Sequence, residues 1–401
     1  MTSPDSRQLP LAGLKVLELG QLIAGPFATK MLGEFGADVI KVEPPGTGDP
    51  LRKWRIIEDG TSLWWHVQSR TKRSMTLDLR SEEGQAMVRR LAAEADVLVE
   101  NFRPGTLEGW GLGYEALAEH NPGLIMVRVS GFGQTGPYRD KPGFGVIGEA
   151  MGGLRYLTGQ PGEPSVRVGV SIGDSLSALY AVIGTLLALQ ERSRSGLGQQ
   201  IDVALYESVF AMMESLLPEY DAAGQVREPS GSALPGITPS NAYRTRSGDY
   251  VLIAGNGDSI FKRLMGVIGR ADLADDPDLA HNDGRSRQAE RIDAAIEAWT
   301  LERDRDAILA ALDDARVPAG YPYTAADIAN DPHYLAREMI QTITRPDGKP
   351  LRVPGVLPRL SATPGRLGEG GPALGQHTDE VLDELGIDPE TRAKLRDAGI
   401  I

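Results

Sequence analysis

Through the first half of the chain, short apolar stretches of period two alternate with longer stretches of helical period. Lys15-Val-Leu-Glu-Leu19 reads as a strand, after which Gly20, Gly25 and Pro26 form a turn that opens a helix over 27–35. Gly36-Ala-Asp-Val-Ile-Lys-Val-Glu43 predicts the next strand, followed by a loop rich in Gly and Pro. A helix over 81–94, the short strand Val97-Leu-Val-Glu100 and a strand over 124–129 continue the series. Residues 174–190 then form a strongly apolar helix. Strands and helices in alternation predict an α/β fold with a parallel sheet covered on both faces.

Between 229 and 240, eight of twelve residues are Gly, Pro or Ser, which ends the periodic pattern and marks a linker. Beyond it, Tyr250-Val-Leu-Ile-Ala254 opens a shorter α+β region that runs to about Val317. The tail predicts loops, a strand pair turning at Pro346-Asp-Gly348, and one final amphipathic helix from Thr378. The expected boundaries are 1–225 for a large domain, 226–242 for the linker, 243–325 for a small domain, and 326–401 for a segment returning to the large one.

Composition narrows the chemistry. With 55 acidic against 42 basic side chains the net charge is −13, which repels phosphate on average and argues against nucleic acid. There is no cysteine, so disulfides, thiolate metal sites and a cysteine nucleophile are all excluded. The longest apolar run, 178–189, falls short of the roughly 20 residues that span a bilayer, and a cytoplasmic protein without membrane contact is expected.

Four features invite a functional reading. Gly20-Gln-Leu-Ile-Ala-Gly25 follows a strand and opens a helix, a place where backbone N–H groups meet anions, although its spacing is not that of a dinucleotide fingerprint. From Arg52 to Arg80 seven Lys or Arg face only Glu58, Asp59 and Asp78, a locally basic window suited either to cofactor phosphates or to a solvated face. Gly169-Val-Ser-Ile-Gly173 matches the G-x-S-x-G nucleophile elbow, with a strand expected before it and His281, His333 and His377 available downstream. Asp174 is placed as a helix N-cap; with an ordinary carboxyl pKa near ~3.9 it is also ionised, and needs no base to attack a thioester. The five histidines show no metal-binding spacing, and no metal site is expected.

These residues, taken in order, resemble the class III CoA-transferases, the formyl-CoA and carnitine CoA-transferase group. The matching stretches are Leu11-Ala-Gly-Leu-Lys-Val-Leu-Glu-Leu19, Ala24-Gly-Pro26, Gly36 to Glu43, Lys72-Arg-Ser74, Val99-Glu-Asn-Phe-Arg-Pro-Gly105, Gly173-Asp-Ser175 and Gly375-Gln-His-Thr-Asp-Glu-Val-Leu382. Together they span nearly the whole chain and displace the hydrolase reading.

The resemblance implies an open, doubly wound, Rossmann-like large domain built from both termini, a smaller α+β domain, and two chains interlocked as a homodimer. It makes Asp174 the nucleophile that becomes a covalent aspartyl-CoA thioester. Coenzyme A is then a cosubstrate and no permanently bound cofactor is implied. The resemblance places oxyanion donors at Gly255, Asn256 and Gly257, and CoA contacts at Ile23, Ala24, Leu77, Arg80, Asn101, Phe102, Arg103 and Phe144. Pro44 and Gly109 stand where the formyl-CoA enzyme has arginines and Ile23 where it has glutamine, which argues against formyl and oxalate exchange. Arg52, Lys72 or Arg103 are the substitutes expected for the CoA phosphates. The implied substrates are an acyl-CoA, with succinyl-CoA the expected donor, and a small, possibly dicarboxylic acid. Two rival readings are a racemase of the same fold and a non-catalytic CoA or nucleotide binder. The racemase requires a histidine where Gly143-Phe-Gly145 stands.

Overall fold

The computed structural model describes residues 8–401. They divide into two units, one of residues 8–155, Val168–Ala223 and Leu335–Ile401, the other of Tyr156–Arg167 and Gly224–Tyr334. Relative to the boundaries read from sequence, the short segment Tyr156–Arg167 groups with the later residues. It is tied there by the Gly231 N–H, which donates to the Gly159 carbonyl at 3.0 Å, and by the Tyr156 hydroxyl, which donates to Glu228 at 2.6 Å.

The first unit is an α/β layer structure around a six-stranded sheet. Its strands are β1 (Lys15–Glu18), β2 (Asp38–Glu43), β3 (Lys72–Thr76), β4 (Val97–Glu100), β5 (Ile125–Ser130) and β6 (Gln200–Ala204). They lie in the order β3-β2-β1-β4-β5-β6, and every neighbouring pair is parallel. This is the doubly wound order, in which the chain reverses direction across the sheet between β1 and β4. The helices that matter below are α1 (Ala24–Glu34), α2 (Glu82–Glu94), α3 (Gly145–Met151), α4 (Ile172–Ser195) and α5 (Leu205–Phe210).

Alternation along the strands sends side chains to two cores. Leu17, Val42, Met75, Leu98 and Met126 pack with Val88 and Leu91 of α2 and with Val381 and Leu382. Val16, Val39, Val97, Val99, Ile125 and Val127 pack on the other face with Ala24, Ala28 and Leu32 of α1 and with Ala178, Ala181 and Ala188 of α4. Two strands escape the apolar pattern. β3 reads Lys-Arg-Ser-Met-Thr, and its polar residues are inside because they meet buried partners: Lys72 reaches Glu18 at 2.8 Å and Ser74 reaches Glu43 at 2.6 Å. β6 is half-exposed at the sheet's edge.

α4 runs longer than its apolar core, 24 residues in all, and by length and composition it is long and apolar enough to cross a bilayer. Its buried stripe is made of small residues, Ser177, Ala178, Ala181, Thr185 and Ala188, which let it lie closely on α1 and the sheet. Leu179, Ile183, Leu186 and Leu187 are exposed instead.

The second unit is α+β: the antiparallel strands β7 (Ser240–Arg244), β8 (Tyr250–Ala254) and β9 (Ala319–Gly320), with β8 central. The helices α6 (Asp258–Val267), α7 (Ala289–Thr300) and α8 (Arg305–Asp314) close one core on it through Phe261, Leu264, Ile292, Ile296, Ile308 and Leu312. In the returning tail β10 (Ile340–Thr344) pairs with β11 (Pro350–Pro354) across the expected turn. The single final helix is in fact two, α9 (Thr378–Glu384) and α10 (Pro389–Asp397). Gly386, at φ 70°, lies between them in the left-handed region that ends a helix.

Candidate active site

In a doubly wound sheet the loops leaving the strands on either side of the reversal diverge and open a crevice at the carboxyl ends. Here those loops are 19–23 after β1 and 101–105 after β4, with 131–144 following β5. They enclose a cleft of about 250 Å³ lined by Gln21 to Ala24, Asn101, Phe102, Ser130, Gly131, Gly143 to Gly145, Asp174 and Leu205, among others. Asp174 is the one carboxylate among these lining residues.

Asp174 is not the N-cap. That position is Ser171, and Asp174 lies in the first turn of α4, where an anion is favoured by the exposed N–H groups and the helix dipole. Glycine makes room for it. A Cβ on Gly145 would lie 2.2 Å from Asp174 Oδ2. The same small face seats α3 on its neighbours: a Cβ on Gly148 would meet Leu205 at 2.8 Å and one on Gly152 would meet Val209 at 2.6 Å. The loop after β5 folds so tightly that a Cβ on Gly143 would come within 2.9 Å of the Gly131 backbone. No strand precedes Gly169, since residues 161–171 are turn and coil. The G-x-S-x-G segment is therefore not a strand-to-helix elbow, and none of the three candidate histidines lines the cleft.

The first wall of the cleft is a locked loop. The Gln21 N–H donates to Asn101 Oδ1 and the Asn101 amide donates back to the Gln21 carbonyl, both at 2.8 Å. The Leu22 N–H lies 3.1 Å from both Asp49 oxygens. The Gln21 and Leu22 N–H groups are therefore already satisfied within the protein.

A second cleft of about 470 Å³ lies beside the first and shares Gln21 and Phe102 with it. Pro44, Pro45, Leu77, Leu79, Arg80 and Trp110 contribute to its lining. Phe102 meets Trp110 edge to face at 5.5 Å. Of the expected CoA contacts, Ile23, Ala24, Asn101, Phe102 and Phe144 thus line the Asp174 cleft, while Leu77, Arg80 and again Phe102 line its neighbour. Arg103 lines neither. Trp110 escaped the sequence reading because it sits in a stretch with no chemical motif; its pairing with Phe102 is visible only in the fold.

The basic window is the main correction. Arg52 is buried, paired with Glu43 at 2.7 Å and stacked 3.7 Å over the Trp65 ring. Arg70 is buried against Glu34 and Lys72 against Glu18. Arg73 is held by Asp38, Glu380 and Glu384. Arg52 and Lys72 therefore cannot substitute at the CoA phosphates, whereas Lys53, Arg55 and Arg80 are exposed. The Arg80 guanidinium pairs with Asp78 at 2.9 Å on a side chain 79 % exposed, a pair that solvent weakens.

Burial tunes several of these groups. Burial opposes ionisation of Glu18, but Lys41 and Lys72 outweigh it and pull its carboxyl down to about 2. Burial pushes Lys72 down to about 8 against the pull of Glu18. Glu100, just before Asn101, is pushed up to about 7 by burial despite Arg128.

Gly255, Asn256 and Gly257 belong to the second unit, between β8 and α6. The Gly255 N–H is bonded to the Pro239 carbonyl at 2.9 Å, and the Asn256 carbonyl accepts from Arg285 at 2.6 Å. Gly257 is the N-cap of α6. The donor capacity of Gly255 is thus already used.

A reversal-point cleft carrying one aspartate on a glycine-lined helix start meets a sequence match to CoA-transferase family III over residues 11–378. The chain belongs to that family. It is 51 % identical to the succinyl-CoA–D-citramalate CoA-transferase of Chloroflexus aurantiacus, over 98 % of each chain. It is 42 % identical to the succinyl-CoA–L-malate CoA-transferase alpha subunit of the same species, over 100 % of this chain and 95 % of that one. Among solved structures it is similar to a CaiB/BaiF family protein from Brucella suis, with a TM-score of 0.82 and 39 % identity, covering 94 % of this chain and 100 % of that one. The place where a racemase base would stand in this CoA-transferase holds Phe144, 67 % exposed and without an ionisable group.

Proposed function

We propose that this CoA-transferase moves CoA from succinyl-CoA to a small dicarboxylic acid, with Asp174 as the covalent carrier. The observation that carries the reading is the single carboxylate in the reversal-point cleft, surrounded by glycines that leave its face open to a thioester. The donor and acceptor class rest on the two Chloroflexus relatives, whose names each couple succinyl-CoA with a dicarboxylic acid.

The chemistry balances without an external energy source. An Asp174 oxygen attacks the thioester carbonyl; the C–S bond breaks, giving a mixed anhydride and CoA thiolate. The thiolate attacks the Asp174 carbonyl carbon, the anhydride C–O bond breaks, and succinate leaves an aspartyl-CoA thioester. The acceptor carboxylate attacks that thioester and again expels CoA thiolate. The thiolate then takes the acceptor's acyl carbon and restores Asp174. Each addition places negative charge on a carbonyl oxygen, which N–H donors in a dry site stabilise by several kcal/mol. Asn256 and Gly257 are the proposed donors.

The proposed assembly is a homodimer of two interlocked chains, each with a large domain from both termini and a small domain from the middle. The exposed stripe Leu179, Ile183 and Leu186 on α4 supports a covered face, since such a row of large apolar side chains is costly in water.

The test of the carrier is chemical. Incubation with succinyl-CoA and hydroxylamine should convert Asp174 to its hydroxamate, read by peptide mass spectrometry. Asp174→Ala should lose the adduct and at least about a hundredfold in transfer rate while still binding CoA. A hydroxamate elsewhere, or a variant that retains activity, would refute the assignment.

A further inference from the structure

Beneath the loop from β1 to α1 lies a closed set of buried charges that the transfer chemistry does not use. Lys41 Nζ is 2.7 Å from Glu18 Oε1, 2.8 Å from Asp49 Oδ2 and 2.8 Å from the Gly20 carbonyl. Lys72 Nζ is 2.8 Å from Glu18 Oε2 and 2.7 Å from the Pro26 carbonyl. All four charged side chains are at most 6 % exposed, and their charges sum to zero. Buried ion pairs of this kind contribute little net stability, because desolvation offsets the attraction. Their value is better sought in what they hold.

What they hold is one loop and the helix start that follows it. Lys41 takes the Gly20 carbonyl, Asp49 takes the Leu22 N–H and Lys72 takes the Pro26 carbonyl. Gln68 adds a bond to the Ile23 carbonyl at 2.9 Å. Within that loop Leu22 sits at φ 65°, a left-handed conformation that costs a non-glycine residue about 1 kcal/mol or more. Its N–H faces both oxygens of Asp49, and Asp49 is itself fixed by Lys41. The strained residue lies in the run Gln21 to Ala24 that forms a wall of the Asp174 cleft.

We propose that Asp49, buttressed by Lys41, is a positioning residue for the transferase: it holds Leu22 in its left-handed turn and so fixes the wall against which the acyl-CoA is seated. The inference rests on the reading of this cleft as the acyl-CoA site. It distinguishes a loop-holding role from plain stability, because glycine at position 22 adopts the same φ without help.

The experiment measures CoA affinity by calorimetry, succinyl-CoA kinetics and thermal midpoint for the full chain and its variants. Asp49→Ala should weaken CoA binding and raise KM for succinyl-CoA by at least about tenfold. Adding Leu22→Gly to Asp49→Ala should recover at least half of the lost binding free energy. Should Asp49→Ala fail to fold, the paired change Lys41→Met with Asp49→Leu removes both charges together and should show the same loss of CoA affinity. Parent-like CoA binding in Asp49→Ala or in the paired variant, with only the thermal midpoint lowered, overturns the proposal. So does a double variant that glycine does not improve. A parent chain that binds no CoA would sink the site reading itself, and this inference with it.

Discussion

The Asp174 carboxylate occupies the volume that a side chain on residue 145 would fill, since a Cβ there would lie 2.2 Å from Oδ2. Real Cβ atoms do not approach so closely, so any substitution must move either the helix start or the Asp174 carboxylate. Gly145→Ala should therefore lower the transfer rate by at least about tenfold, because an attacking atom displaced by even a fraction of an ångström loses its alignment. CoA binding, read by calorimetry, should stay within about threefold, as Gly145 is one lining residue among many. A parent-like rate would mean that Asp174 has another workable rotamer. The aspartate and its Gly-Asp-Ser setting were legible in the sequence. The dependence on Gly145 was not, because the two residues are far apart in the chain and meet only where α3 lies across the start of α4.

The α4 helix shows how composition misleads about burial. Its apolar run suggests a helix buried all round, yet the buried stripe is Ser177, Ala178, Ala181, Thr185 and Ala188 while Leu179, Ile183, Leu186 and Leu187 face out. Close helix packing selects small residues, and period alone does not say which side of an all-apolar helix is the inside. Two expectations follow. Ala181→Leu, at a position 1 % exposed, should overpack the contact with α1 and cost about 1–3 kcal/mol, measured as a lower denaturant midpoint. Ile183→Glu with Leu187→Glu, on the exposed side, should keep newly made chains from assembling into the proposed dimer, read as a monomer mass in light scattering. An unchanged mass would refute a dimer face on this stripe. The strands tell the complementary story. β1, β2, β4 and β5 were legible from apolar alternation, whereas β3 was hidden because only Met75 of its three buried residues is apolar; Lys72 and Ser74 are inside by virtue of Glu18 and Glu43.

Across the molecule, stability should depend on acid through the same buried charges. Glu18 titrates near 2 in the folded chain against an ordinary 4.5, with Lys41 and Lys72 outweighing the effect of burial. A carboxyl whose folded pKa is depressed stabilises fully above its unfolded value and loses that contribution as pH falls through the folded one. The denaturant midpoint should thus fall as pH drops from about 4.5 towards about 2. A midpoint level over that interval would contradict an ionised, buried Glu18. The net charge of −13 bears on solubility, while the site is governed by local pairing. The alternation of strands and helices and the family motifs are local properties, written in periodicity and short patterns that a linear reading largely recovers. Which cations face solvent is not local. Arg52, Arg70 and Lys72 looked like a phosphate-binding surface until Glu43, Glu34 and Glu18 were brought beside them, and those partners come from other strands and helices. Parallel strands join residues distant in sequence, so the charge a ligand meets is fixed by which side chains the sheet has already paired, and folding alone sets that pairing.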